Sequence, residues 1–286
     1  MTRRALLDSA TARLQAAGVE GARRTAEWIV EDVTGAGRLA LTARDAEATP
    51  GEAARVERLV ARRAAGEPVQ YVLGHADFYG LHLEVSPAVL IPRPETEAVV
   101  EEALRRLRPF EAPWVLDVGT GSGALALALA HERPDAHVVA ADVSAEALAV
   151  AAGNAERLGL AVTLVCADAL RPAFADAVPP TFDLVVSNPP YVPAAERAGL
   201  QREVRDWEPG GALFVPDTDP LVFYRALAGH ADRLLRPGGW LVAETHADFG
   251  AAVAALWGGA GLEAAEVLPD LAGRDRIAVA RRPAQA

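Results

Sequence analysis

The apolar positions of the chain change their spacing twice, and each change marks a different kind of element. Leu6, Ala10, Leu14 and Ala17 recur at helical intervals up to Gly18, and Ala22, Ala26, Ile29, Val30 and Val33 do so up to Gly35, which predicts two helices. A third is announced by Thr49-Pro50-Gly51-Glu52, which offers a capping hydroxyl, a proline at the first helical position and a glutamate three residues after the cap; Gly66 and Pro68 stop it. From Val69 to Val85 the period shortens to two. Phe78, Leu81, Leu83 and Val85 alternate with His82 and Glu84 about Gly80, which predicts a hairpin. Prolines 92 and 94 then hold Val89 to Glu97 extended ahead of a helix with Val99, Val100, Ala103, Leu104 and Leu107 inward. Within that loop Arg93 is a candidate to meet an anion and Glu95 to cap the helix.

Thereafter short apolar runs alternate with helical ones. Strands are predicted at Trp114–Val118, His137–Asp142, Val162–Cys166, Phe182–Ser187 and Trp240–Glu244, with helices after the glycine run 119–123, from about Ser144 to Leu158 and from about Pro220 to Leu235. Arg236-Pro237-Gly238-Gly239 reads as a tight turn, residues 204–211 as a loop without a period in which Trp207 and Glu208 are candidates to touch a substrate, Ile277–Ala280 as a final edge strand, and 281–286 as a tail. Such alternation implies an α/β fold, a mostly parallel sheet covered by helices on both faces, with ligands bound outside the carboxyl ends of the strands. Asp117, the glycine run, Asp142, Asp168 and Asn188 all fall at such ends.

Length and composition add a boundary to this picture. With 286 residues, 51% hydrophobic and 23% charged, the chain has room for one large domain and a small one. The apolar stretch Ala124–Ala130 is too short to span a bilayer and is closed by His131-Glu132-Arg133-Pro134, and the basic start Met1-Thr2-Arg3-Arg4 leads into no apolar signal core, so a soluble cytoplasmic protein is expected. Cys166 has no partner for an internal disulfide and reads as a small buried hydrophobe. The formal net charge of −11 argues against a nucleic-acid polyanion as the main partner.

The candidate chemistry gathers around Asp183-Leu184-Val185-Val186-Ser187-Asn188-Pro189-Pro190-Tyr191. The apolar run reads as a strand buried on both faces, and the two prolines end its ladder. Because Pro189 and Pro190 carry no N–H, the tip offers carbonyl acceptors without competing donors, and the Asn188 carboxamide oxygen adds another. A planar N–H₂ group fits such a site, with Tyr191 as an aromatic wall. Gly119, Gly121 and Gly123, with Thr120 and Ser122 between them, allow a ligand close to the backbone, and loop N–H groups at a helix start favour an anion. A dinucleotide reading competes here, but Gly-x-Gly-x-Gly lacks the offset of that fingerprint. Asp142 is placed to accept from ribose hydroxyls and Asp168 from an adenine amino group. Loop, first acid, second acid and Asn-Pro-Pro-Tyr after four successive strands match S-adenosylmethionine binding with a methyl acceptor at the fourth position.

Gly66-Glu67-Pro68-Val69-Gln70-Tyr71, Val89 to Glu97, Asp117 to Gly123, Asp142 and Asn188 to Tyr191 together resemble the HemK family of release-factor glutamine methyltransferases, over almost the whole chain. The resemblance implies a helical substrate-recognition domain over 1–68, a hairpin linker over 69–92, and over 93–286 a class I S-adenosylmethionine-dependent methyltransferase domain, Rossmann-like with a seven-stranded, mostly parallel sheet. It implies N5-methylation of the glutamine in the Gly-Gly-Gln motif of class 1 peptide chain release factors, with S-adenosylhomocysteine as product, by a cytoplasmic monomer that needs no metal, membrane or nucleic acid. By carry-over Gly119, Thr120, Gly121, Ser122, Gly123, Asp142, Asp168 and Asn188 contact the cofactor, and Asn188, Pro189, Pro190 and Tyr191 hold and activate the substrate amide. Ala169 departs from the pattern, since some members carry an aromatic residue after the second acid. The alternatives are a glutamine methyltransferase of a ribosomal protein, which Pro92-Arg93-Pro94-Glu95-Thr96-Glu97 disfavours, an adenine N6-methyltransferase, which the charge disfavours, and an inactive cofactor-binding scaffold.

Overall fold

The computed structural model describes residues 1–37, 40, 46–179, 181–270 and 273–284. The chain forms two compact units, one of residues 1–75 with 201–207, the other of 76–200 with 208–286.

The first unit is helical, with helices Arg3–Ala16, Ala22–Thr34 and Pro50–Ala64 around a core of Leu6, Leu7, Leu14, Ala26, Ile29, Val30, Val56 and Val60. The predicted cap is present in both directions. Thr49 Oγ1 accepts from the Glu52 N–H at 3.2 Å, and the Glu52 carboxylate accepts from the Thr49 N–H at 2.6 Å. The hairpin begins later than the change of period suggests, because Val69–Leu73 is one more short helix that buries Val69 and Val72 one turn apart. Arg62 explains how so short a helix ends. Its guanidinium donates to the Tyr71 and Val72 carbonyls at 3.0 and 3.1 Å, groups that a helix terminus leaves without partners, and Gly74 then turns the chain at φ +87°. Part of the stretch read as a structureless loop is a helix too: Arg202–Trp207 belongs to this unit, where Glu203 pairs with Arg63 at 2.7 Å.

The hairpin itself pairs β1 (His75–Phe78) with β2 (Leu81–Glu84) across Tyr79 and Gly80, both at positive φ, the geometry that a two-residue connection requires. In the second unit β3 (Trp114–Val118), β4 (His137–Asp142), β5 (Val162–Cys166) and β6 (Phe182–Ser187) belong to one seven-stranded sheet. A small pair, β7 (Val192–Pro193) with β8 (Phe214–Val215), stands apart, and β9 (Leu235–Glu244), β10 (Glu263–Pro269) and β11 (Asp275–Arg281) complete the large sheet in the order β10-β11-β9-β6-β3-β4-β5. β3, β4, β5, β6 and β9 run parallel, and β11 is antiparallel to both its neighbours.

Successive residues of a strand serve opposite faces, and the two cores follow that rule. Val115, Leu184 and Val186 pack with Val99, Val100, Ala103 and Leu107 of helix Glu97–Leu107 and with the helix Ala124–Glu132. Leu116, Val139 and Val185 pack on the other side with Tyr224, Leu227 and Leu234 of helix Val222–Leu234 and with Trp257, whose indole N–H donates to the Tyr224 carbonyl at 3.0 Å.

Four expectations need correction. Residues 236–239 lie inside β9, where Phe182 faces Leu235 and Leu184 faces Trp240, so the extra residues bulge from the ladder at Gly238, φ +82°. β11 is an interior strand and β10 is the edge. The helix after the extended loop carries no side-chain cap from Glu95; a 3₁₀ turn over Pro94–Thr96 leads into it instead. Cys166 is exposed.

Candidate functional site

Parallel strands bring their carboxyl ends to one edge, and here those of β3, β4, β5 and β6 surround a cavity of about 520 Å³. Gly119, Thr120, Gly121, Ser122, Asp142, Asp168, Asn188, Pro189 and Pro190 line it, whereas Gly123 and Tyr191 do not.

The glycine run turns sharply after β3, with Gly119 at φ +76° and Gly121 at +56°, and a side chain added at either would meet nothing within 4 Å. Glycine is needed there for the backbone alone. Gly123, at φ +85°, adds a second demand: a Cβ would lie 2.9 Å from Leu127 Cδ1 and 3.3 Å from Ala151, so this glycine also lets two helices approach. Four of the five loop amides are occupied. Gly119 and Thr120 donate to the Ala141 carbonyl at 2.8 and 3.1 Å, Gly121 to Asp142 at 2.9 Å, and Gly123 to the Thr120 carbonyl at 2.9 Å. The expected anion cradle is therefore absent at these positions, and a phosphate would also face the carboxylate of Asp142. The loop suits a nucleoside ligand without phosphates.

Acidic groups confirm the sign. Asp117 is 0% exposed; its Oδ2 accepts from Thr120 Oγ1 at 2.7 Å and from the Ala126 N–H at 3.2 Å, while Oδ1 has no partner. Burial pushes its carboxyl up to about 7, against the pull of those two bonds. An orphaned buried oxygen beside a cavity is what a cationic ammonium would satisfy. Asp142 accepts from the Gly121 and Ser144 N–H groups, one per oxygen at 2.9 Å each, which fixes the carboxylate and leaves lone pairs for hydroxyl donors. Asp168 forms a local turn, accepting from the Leu170 N–H at 2.9 Å. Where an aromatic residue was missing at Ala169, the cavity has Phe223 and Leu227 in its wall instead.

At the tip of β6 the structure brings together residues far apart in the chain. Asn188 Nδ2 donates to Thr96 Oγ1 at 3.1 Å, Thr96 Oγ1 donates to Glu244 Oε2 at 2.6 Å, and the Tyr191 hydroxyl donates to Glu244 Oε1 at 2.9 Å. Tyr191 is thus turned away from the cavity, its ring edge-on to His246 at 6.1 Å, and burial with the Glu244 charge raises its hydroxyl far above the ordinary phenol range. Glu244 is 0% exposed, and burial raises its carboxyl while Thr96, Tyr191 and Arg276 pull it back. Asn188 is left with its carbonyl oxygen for the cavity it lines, beside the Pro189 carbonyl. Ser187 anchors the strand end by donating to the Val118 carbonyl at 2.7 Å.

The opposite wall is the extended loop Val89 to Arg93, tied down by Glu208. That buried carboxylate accepts from the Ile91 N–H at 3.2 Å and from the Arg93 guanidinium, so both charges are spent on shaping the wall. Trp207, named with Glu208 as a candidate contact, belongs to the helical unit. Thr96 and Glu244 were missed by sequence reading. The one available signal was a carboxylate at the end of the apolar run Trp240-Leu241-Val242-Ala243, where a buried charge must have partners.

Comparisons with known proteins identify the family. Residues 5–74 match the family model of the PrmC N-terminal domain, and residues 115–211 match a methyltransferase domain. The chain is 47% identical over 286 residues to the release factor glutamine methyltransferase of Moorella thermoacetica, covering 99% of both chains, and 47% identical over 279 residues to that of Cereibacter sphaeroides, covering 97% and 98%. Among solved structures, a methyltransferase from Pyrococcus furiosus shares the fold with a TM-score of 0.50 at 20% identity, over 82% of this chain and 100% of that one.

Proposed function

Since this chain belongs to the release factor glutamine methyltransferases, enzymes that use S-adenosylmethionine to methylate a release-factor glutamine, we propose that it holds that glutamine's carboxamide between the Asn188 side-chain oxygen and the Pro189 carbonyl. The observation that carries the reading is the bond from Asn188 Nδ2 to Thr96, which turns the Asn188 amide so that its oxygen is an acceptor at the tip, next in the chain to the Pro189 carbonyl. The cofactor supplies an electrophilic methyl group on a sulfonium. A carboxamide nitrogen is a weak nucleophile because its lone pair is delocalised into the carbonyl, and attack places positive charge on it. Each N–H directed at a fixed acceptor is held in line, and its bond strengthens as that charge grows, which combines positioning with preorganised electrostatics. The proton becomes acidic only after transfer, so no strong base is required.

Asp142 is assigned to the ribose hydroxyls, Asp168 to the adenine amino group, Asp117 to the cofactor's ammonium, and 119–122 to close backbone approach, with Gly123 seating the helix behind them. Pro190 ends the ladder, and Tyr191 holds the tip through Glu244. We place the methyl on N5 of the glutamine in a Gly-Gly-Gln motif of class 1 release factors, with residues 1–68 recognising that protein, 69–92 linking and 93–286 catalysing, in a cytoplasmic monomer. None of the helices among the described residues is long and apolar enough to cross a membrane. Incubation with isotopically labelled donor and, separately, a release factor, a ribosomal protein and DNA, followed by mass spectrometry, tests this. A label on the glutamine amide of the release factor is expected; a label only on the ribosomal protein or DNA would overturn it.

A further inference from the structure

The amide group of an asparagine is nearly symmetric in shape, so nothing in packing alone decides whether oxygen or nitrogen faces a ligand. At Asn188 the decision is made by Thr96, in the cavity wall, and by Glu244 behind it, outside the lining. Glu244, fully buried, takes a hydroxyl proton on each oxygen, from Thr96 and from Tyr191. A threonine hydroxyl has a single proton. With that proton given to Glu244, Thr96 Oγ1 can only accept, and the only part of the Asn188 amide able to donate to it is Nδ2. Turning the amide over would set two oxygens face to face and break a bond at a buried hydroxyl, 4% exposed.

We infer that Thr96 and Glu244 are positioning residues for methyl transfer: the chain of donation from Asn188 to Thr96 to Glu244 fixes the Asn188 carboxamide with its oxygen toward the cavity. This rests on the reading of Asn188 as a holder of the substrate amide. Glu244 also restrains the far side of the same tetrapeptide through Tyr191, so one carboxylate governs both ends of the Asn-Pro-Pro-Tyr turn. The device explains why a carboxylate is retained at a position where an apolar residue would be the cheaper occupant of a parallel strand.

Thr96→Val removes the hydroxyl at nearly constant volume, Thr96→Ser keeps it, and Glu244→Gln keeps the shape but cannot accept from two hydroxyls without turning its own N–H₂ on one of them. Single-turnover methyl transfer to a release factor at saturating cofactor is measured for each, alone and combined with Asn188→Ala, with the affinity for S-adenosylhomocysteine and the melting temperature alongside. Thr96→Val and Glu244→Gln slow transfer on the order of 10²-fold, as misplacement of a reacting group does. Their product affinity is unchanged, and Thr96→Ser recovers most of the rate lost in Thr96→Val. In the Asn188→Ala background Thr96→Val adds no further loss. Unimpaired transfer by Thr96→Val, or an additional loss of the same size on top of Asn188→Ala, overturns the inference while the role of Asn188 stands. Unimpaired transfer by Asn188→Ala overturns the role of Asn188 and the inference with it. Should Glu244→Gln fail to fold, the Thr96 pair alone decides.

Discussion

Replacing Asp117 by asparagine probes the floor of the cavity through stability alone. Asp117 is fully buried, one oxygen lacks a partner, and its carboxyl titrates at about 7 in the folded protein against 3.8 as its ordinary value. A raised folded-state value means that the native protein keeps a proton which the unfolded chain has already lost. The favourable contribution is therefore complete below the unfolded value, shrinks as pH rises above it, and is gone once pH passes the folded value. The gap between the two values corresponds to about 4 kcal/mol, so wild type should lose roughly that much stability from this group between pH 4 and pH 8. The asparagine of the Asp117→Asn variant cannot titrate. Its amide nitrogen at the orphaned position costs about 1–3 kcal/mol at every pH. Urea unfolding followed by tryptophan fluorescence, run on both proteins across this range, gives the difference free of all other titrating groups. The variant should gain on wild type as pH rises, by about 4 kcal/mol in total, and S-adenosylhomocysteine should raise the midpoint of wild type more than that of the variant at pH 8. A difference between the two proteins that does not change with pH would refute the reasoning.

Asn188→Ala should leave product affinity close to that of wild type but slow turnover by about 10²–10³, roughly 3 kcal/mol in the barrier, as loss of one preorganised contact does; calorimetry and single-turnover rates separate the two. Gly123→Ala puts a non-glycine residue at φ +85° and a Cβ 2.9 Å from Leu127, and should lower stability by about 1–3 kcal/mol in thermal unfolding, whereas a cost confined to cofactor affinity would show that neither the backbone conformation nor the helix contact requires the glycine. Thr49→Ala removes the hydroxyl half of the capping box, the bond from the Glu52 N–H, and keeps the backbone half; it should cost about 0.5–2 kcal/mol, detected as faster hydrogen exchange in helix Pro50–Ala64 with cofactor affinity unchanged.

What could be read from the sequence was whatever is encoded locally. β3, β4 and β6 are largely apolar runs because both their faces are buried, and the Thr49 cap and the turn at Gly80 are each written within a few residues. β10 escaped because its apolar run is broken: Glu263, Ala264, Glu266 and Pro269 are exposed, and only Ala265, Val267 and Leu268 are partly covered. The fate of the loop amides was equally hidden, since glycine spacing reports where backbone can approach a ligand but not which carbonyl has already taken the N–H. Asn188 and Tyr191 were recognised as a motif, yet what orients them lies 92 and 53 residues away in sequence, at Thr96 and Glu244, and only the closing of the sheet brings these together.

The central claim is that two acceptors at the tip of β6 grip a planar amide. A release factor labelled with ¹⁵N at the side-chain amide of its glutamine, bound to the enzyme with S-adenosylhomocysteine, reports this by NMR. Both N–H protons should move downfield and exchange slowly with the wild-type enzyme, and at least one should revert with Asn188→Ala. Amide protons that keep their free-peptide shifts and exchange rates in the wild-type complex would contradict it.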